Sequence, residues 1–149
     1  MPQIERDYIE TGKVKYVARD FPIERIHKDA FKAAEAANCA GEQGKYWEMH
    51  SRLFANRTAL ALKDLSGYAK ALGLDMARFQ QCLDSGKQAK EIRKDIADAR
   101  KAGVRGTPTF FLGLTEPGKP TVKSLRVIRG ARPYSSFKEA IDSLLSSKK

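Results

Sequence analysis

Apolar positions recur at intervals of three and four along most of this 149-residue chain, and only three short stretches switch to the alternating or continuous apolar runs of strands. Pro2 suits the first turn of a helix, Ile4, Tyr8 and Ile9 follow at helical spacing, and Gly12 stands where a left-handed cap would close it. The period then changes. Residues 13–19 (Lys-Val-Lys-Tyr-Val-Ala-Arg) are rich in β-branched and aromatic side chains and run into Asp20-Phe21-Pro22, which predicts a strand leaving into a turn.

From Glu24 to about Lys101 the pattern is helical, with glycines at 41, 73 and 86 marking helix ends, and it predicts four or five helices. One is Ala-rich (residues 30–40), and one is aromatic, with Tyr46, Trp47, His50, Leu53 and Phe54 at spacings of three and four. Another carries Leu65, Tyr68, Ala69 and Leu72. Asp75 predicts an N-cap for a short helix holding Phe79, Cys82 and Leu83, and a last helix with Ile92, Ile96 and Ala99 closes at Gly103. Thr109-Phe110-Phe111-Leu112 then predicts a strand, residues 115–120 a loop rich in Pro and Gly, residues 124–129 a second strand ending at Gly130, and residues from Tyr134 onward a terminal helix. That helix places Phe137, Ile141, Leu144 and Leu145 on one face and frays over residues 146–149. The order is helix, strand, long helical block, hairpin, helix, with no internal repeat and no linker that would split the chain.

Composition narrows the class. With 42% hydrophobic and 31% charged residues the chain is a globular domain rather than a disordered tail. No run approaches the ~18 uncharged apolar residues of a membrane span, and the first residues lack the apolar stretch of a signal peptide, so the chain as written is expected in the cytoplasm with no membrane span. The net charge of +10 is unevenly placed: residues 1–75 hold 12 Lys/Arg against 11 Asp/Glu, residues 76–149 hold 16 against 7. The basic side chains are spread singly, without a concentrated face or interleaved aromatics, which argues against nucleic-acid binding and for a solvated basic surface suited to acidic partners.

Candidate chemistry is sparse. The two cysteines, Cys39 and Cys82, lie 43 positions apart, so the chain has no CxxC pair and no cysteine-rich zinc site. Cys39 with His50 lacks a third orienting residue and an oxyanion hole for nucleophilic catalysis, and His27, beside Lys28 and Asp29, reads as a surface residue. Two histidines without clustered carboxylates predict no metal, and nothing predicts a cofactor. Pro108 opens an apolar strand, removes a backbone donor and restricts Thr107 to extended geometry. An X-Pro bond in such a place is sometimes cis, leaving the carbonyl before it free to face a ligand.

Four separated stretches, in order, are Tyr-Val-Ala-Arg-Asp-Phe-Pro (16–22), Cys-Ala-Gly-Glu-Gln-Gly-Lys-Tyr-Trp-Glu-Met-His (39–50), Phe-Gln-Gln-Cys-Leu-Asp-Ser-Gly (79–86) and Gly-Val-Arg-Gly-Thr-Pro-Thr-Phe-Phe (103–111). Together they resemble the DsbA-like thioredoxin family from the first residues to the terminal helix. The resemblance implies an α/β thioredoxin-like fold, with residues 1–22 and 103–149 as its core and residues 23–102 as an inserted helical domain. It further implies a thiol-disulfide oxidoreductase of the bacterial cell envelope, periplasmic or otherwise extracytoplasmic, whose partners are polypeptide thiol substrates or a redox partner protein. Pro108 would be the family's cis-proline and Thr107 the residue whose backbone docks substrate. Members with a second, structural disulfide in the helical domain make Cys39 and Cys82 a candidate bridge, worth on the order of 4 kcal/mol by loop-closure entropy. The alternative is two buried free thiols behaving as small hydrophobes. Glu42, Gln43 and Trp47 read as helix capping and packing.

The sequence departs from that family at its start. Met1 falls inside the helix that the first strand and the CxxC should precede, so both are expected to be missing, as in a truncated gene whose Met1 is internal to a longer exported protein. Without a nucleophilic and a resolving thiol no dithiol exchange runs, and no residue here is assigned a catalytic role. The strand at 13–19 would lack its ladder partner, and it is expected either to pair with residues 109–112 or to recruit a second copy into a homodimer. The expected function is therefore a DsbA-like domain inactive alone. A non-catalytic binding protein for unfolded or acidic partners is the first alternative and a nucleic-acid-binding helical protein the second.

Overall fold

The computed structural model describes residues 2–115 and 123–147. Apart from Thr115, the Pro- and Gly-rich loop expected at 115–120 lies outside them, as do Lys148 and Lys149. In chain order the elements are α1 (Pro2–Ile4), a π-helical segment (Glu5–Ile9), α2 (Ala30–Gly41), α3 (Tyr46–Ala55), α4 (Leu62–Ala71), α5 (Met76–Ser85), α6 (Ala89–Lys101), β1 (Thr109–Leu114), β2 (Lys123–Arg129) and α7 (Tyr134–Ser146). They form two compact units: Met1–Ala18 with Gly103–Lys149, and Arg19–Ala102.

The helical unit is built on the small residues of α2. Ala33, Ala36, Ala37, Cys39 and Ala40 are all buried, and with no bulk beyond Cβ or Sγ they let the neighbouring helices approach closely. Met49 of α3, Leu65 of α4 and Phe79 and Leu83 of α5 fill that surface at 0–1% exposure, each contributing about 1.5–3 kcal/mol by leaving water. Asp75 caps α5 as expected, its carboxylate accepting from the Arg78 N–H at 3.0 Å. Gly86 ends the same helix in the left-handed region (φ 62°), where a Cβ is costly. The segment before α2 belongs with the helices. The Asp20 backbone N–H donates to Asp95 at 2.9 Å, the Arg19 guanidinium pairs with the same carboxylate, and Asn38 donates to the Asp20 side chain at 2.8 Å.

In the other unit β1 and β2 form an antiparallel pair with Phe110 opposite Ile128 and Phe111 opposite Val127, and a register irregularity after Leu112. Alternation sends Phe110, Leu112 and Ile128 to the face that packs with α7, where Phe137 meets the Phe110 ring edge-to-face at 4.9 Å. Ile4 and Tyr8 complete that core beside Phe137 and Ile141. The opposite face leaves Phe111, Leu125 and Val127 exposed.

The opening helix forms and Gly12 turns the chain at φ 72° as expected; the helix is α over Pro2–Ile4 and widens to π over Glu5–Ile9, with the Glu10 N–H donating to the Glu5 carbonyl. One expectation is corrected here. Residues 13–19 form no strand, and the sheet has two strands among the described residues. β-branched and aromatic composition favours a pleated surface but supplies no ladder partner. The entry to the segment is held by the Val14 N–H donating to the Tyr8 carbonyl at 3.0 Å. Among the described residues it does not pair with β1.

Candidate functional site

The Thr107–Pro108 loop is shaped by what flanks it. Gly103 turns the chain in the left-handed region (φ 79°), Val104 is buried as an anchor, and Arg105, Thr107 and Pro108 are exposed. The Thr107–Pro108 peptide bond is cis. The Thr109 hydroxyl donates to the Gly106 carbonyl at 2.7 Å, closing the turn, and the Gly130 N–H donates to the Pro108 carbonyl at 2.8 Å, tying the loop to the end of β2. A depression of about 630 Å³ opens at this loop, lined by Gly103, Arg105–Thr109, Arg129 and Gly130. Among the described residues its only ionisable lining groups are the two arginines, and neither is in an ion pair.

Cys39 and Cys82 are joined by a disulfide between α2 and α5, with Cα atoms 5.9 Å apart and both residues buried. No other cysteine exists, so these residues present no thiol at the loop. The same bond removes Cys39 as a nucleophile for His50. The His50 ring instead sits among Phe54 (4.6 Å), Trp47 (5.4 Å) and Tyr46 (5.8 Å), and desolvation holds its pKa below the ordinary value. Gln43 bonds reciprocally with the Asp75 backbone (2.8 and 3.2 Å), and Glu42 accepts from Gln88 and pairs with Lys87, so both act in packing. Among the described residues no three His, Cys, Asp or Glu side chains cluster as metal ligands, and no helix is long and apolar enough to cross a membrane.

Sequence reasoning missed Arg105 and Arg129 as partners in one depression. They are 24 positions apart in the chain and were legible only as members of a diffuse charge, because the β1–β2 register that brings the end of β2 beside the loop is a tertiary fact. A second depression, of about 310 Å³, lies in the helical unit between Glu24, Phe31, Ile96, Arg93 and Arg100, with the Arg93 guanidinium 5.8 Å from the Phe31 ring.

Comparison with known proteins places this geometry. A family model described as thioredoxin matches residues 1–143. The chain is 38% identical over 125 residues to the Na(+)/H(+) antiporter NhaA 1 of Salinispora arenicola, covering 83% of this chain and 19% of that protein. It is 40% identical over 111 residues to the Na(+)/H(+) antiporter NhaA 3 of Salinispora tropica, covering 74% and 17%. The chain thus spans less than a fifth of the length of these curated relatives. Among solved structures, alpha-DsbA1 of Wolbachia pipientis superposes with a TM-score of 0.81 at 27% identity, over 98% of this chain and 75% of that one. A match across nearly the whole chain, and a superposition that carries both its helical unit and its hairpin, make this chain a DsbA-like member of the thioredoxin family, with that family's α/β fold.

Proposed function

We propose that this chain is the polypeptide-binding part of a DsbA-like thiol-disulfide oxidoreductase, and that the Thr107–Pro108 loop holds substrate while these 149 residues supply no exchange chemistry. The observation that carries this reading is the state of the cysteines. Both are spent in one buried disulfide of the helical unit, and the exposed loop has no thiol of its own. Exchange needs a thiolate to attack and a second thiol to resolve the mixed disulfide, so any turnover requires thiols from outside these residues. What remains is an exposed turn whose Thr107 backbone makes no hydrogen bond among the described residues, beside an edge of β1 that pairs with no strand among them, the arrangement that accepts an extended peptide by main-chain hydrogen bonding. Residues 19–102 serve as the inserted helical domain and are stapled by the disulfide, which suits an oxidising, extracytoplasmic compartment.

The test pairs an activity assay with a map. Reduction of insulin by dithiothreitol should proceed at the same rate with and without the chain, and a reduced, unfolded polypeptide should shift the backbone amide signals of Arg105, Gly106, Thr107 and Thr109 within residues 105–109. Turnover above background sinks the inactive reading, and shifts confined to the helical unit sink the loop as the binding site.

A further inference from the structure

The depression at the loop carries charge of one sign. Its lining is backbone and small side chains with two exceptions, Arg105 on the loop and Arg129 at the end of β2, which bracket it from two different elements. Each is exposed, and among the described residues no carboxylate neutralises either. Among the described residues six other cations, Arg19, Lys32, Lys45, Lys87, Lys94 and Lys138, hold carboxylates while most Lys and Arg do not, so what sets Arg105 and Arg129 apart is that both line one depression. Arg132 adds a third charge next to this site, its guanidinium folded back to donate to the Arg129 carbonyl at 3.2 Å. Among the described residues of 103–147 there are six Lys/Arg against two Asp/Glu, so the unit that carries the depression is positive as well.

We infer that this depression selects extended polypeptide segments bearing Asp or Glu, with Arg105 and Arg129 as its specificity-determining residues. The inference rests on the loop being the polypeptide site and adds the chemistry of what it takes. A peptide backbone laid against the Thr107–Pro108 turn offers side chains to either side. An aspartate or glutamate there meets a planar guanidinium able to bond its carboxylate through two N–H groups. Exposed charge pairs are individually weak and screened by salt, so the selection is graded rather than absolute and strongest at low ionic strength.

The probes are two fluorescein-labelled peptides with the same apolar centre, one carrying two Asp and the other two Asn at the same positions. Titration by fluorescence anisotropy at low salt, with amide shifts followed in parallel, should give the Asp peptide a Kd about three- to tenfold lower. Arg105→Gln with Arg129→Gln should erase that ratio while the Asn peptide binds as before. Lys63→Gln with Lys70→Gln, two exposed positions on α4, should preserve it, and 0.5 M salt should shrink it. Equal affinity of the two peptides, both mapping to residues 105–109, overturns the selectivity and leaves the loop as a binding site. Loss of the ratio in the Lys63/Lys70 variant overturns it too, by showing that overall charge is responsible. If neither peptide moves the signals of residues 105–109, the loop itself is not the site and the inference falls with it.

Discussion

Cys39 and Cys82 are bonded across the helical unit, one from near the end of α2 and one from the middle of α5, with their Cα atoms 5.9 Å apart. The bond closes a 43-residue loop that contains α3 and α4. Loop-closure entropy assigns it about 4 kcal/mol. Cys39→Ala with Cys82→Ala is expected to lose about that amount in urea unfolding followed by Trp47 fluorescence, since Trp47 is the single tryptophan and lies in α3. A loss below about 1 kcal/mol would mean that small-residue packing along α2 holds the unit by itself.

Asp20 is a carboxylate kept in the helical unit at a cost. Burial raises its pKa above the ordinary value, the hydrogen bond from Asn38 lowers it, the neighbouring Asp95 raises it and Arg19 lowers it, with burial prevailing. The folded state therefore holds the Asp20 proton more tightly than the unfolded state. On this account stability falls as pH rises from the unfolded value, about 4, through the folded one. Asp20→Asn keeps an acceptor for Asn38 and carries no charge, so it should stabilise the unit at pH 7 and lose that advantage near pH 4. Urea titrations of both proteins at the two pH values measure it, and an equal difference at both would refute the assignment.

Tyr8 and Tyr134 bind the two ends of the other unit together: Tyr8 donates to Asp142 at 2.8 Å and Tyr134 donates to Asp7. Burial, then the Asp142 hydrogen bond, raises the Tyr8 pKa, and the Asp7 hydrogen bond lifts Tyr134 to about 12. Both phenols keep their protons longer when folded, so their contribution is complete below the ordinary tyrosine value of about 10 and is lost as pH climbs toward the folded values. Tyr8→Phe should cost about 1 kcal/mol at pH 7 through the lost hydrogen bond. It should also flatten the alkaline decline seen by circular dichroism above pH 10. An unchanged alkaline slope would assign the decline to other groups.

How much of this was legible in the sequence depends on whether the determining interaction is local. The Asp75 cap, the aromatic face of α3 and the inward set Phe137 and Ile141 follow from residues within a turn or two of each other, and they appear where the spacing puts them. The stretch at 13–19 misled because strand character requires a partner, and neither Val14 nor Val17 carries information about which backbone lies beside it. The widening of the first helix at Glu5–Ile9 has no spacing signal, since Ile4, Tyr8 and Ile9 serve either helix type. At the loop, Thr107 and Pro108 were visible through motif resemblance, whereas the pairing of Arg105 with Arg129 required the hairpin register.

The two units have separate cores, and that separation is itself testable. Phe137 anchors one through Phe110, Ile4 and Tyr8, and Phe79 anchors the other among α2, α4 and α5. Truncating either to alanine should cost about 3–5 kcal/mol of local stability. A core as small as that around Phe137 has little reserve against such a loss. Phe137→Ala should therefore accelerate hydrogen exchange through β1, β2 and α7 while Trp47 emission keeps its native urea midpoint. Phe79→Ala should do the reverse, lowering the Trp47 midpoint and leaving the protection of β1 and β2 in place. If either variant lowered both readouts together, the two units would unfold as one cooperative block, and the disulfide would then stabilise the Thr107–Pro108 loop as well as the helices around it.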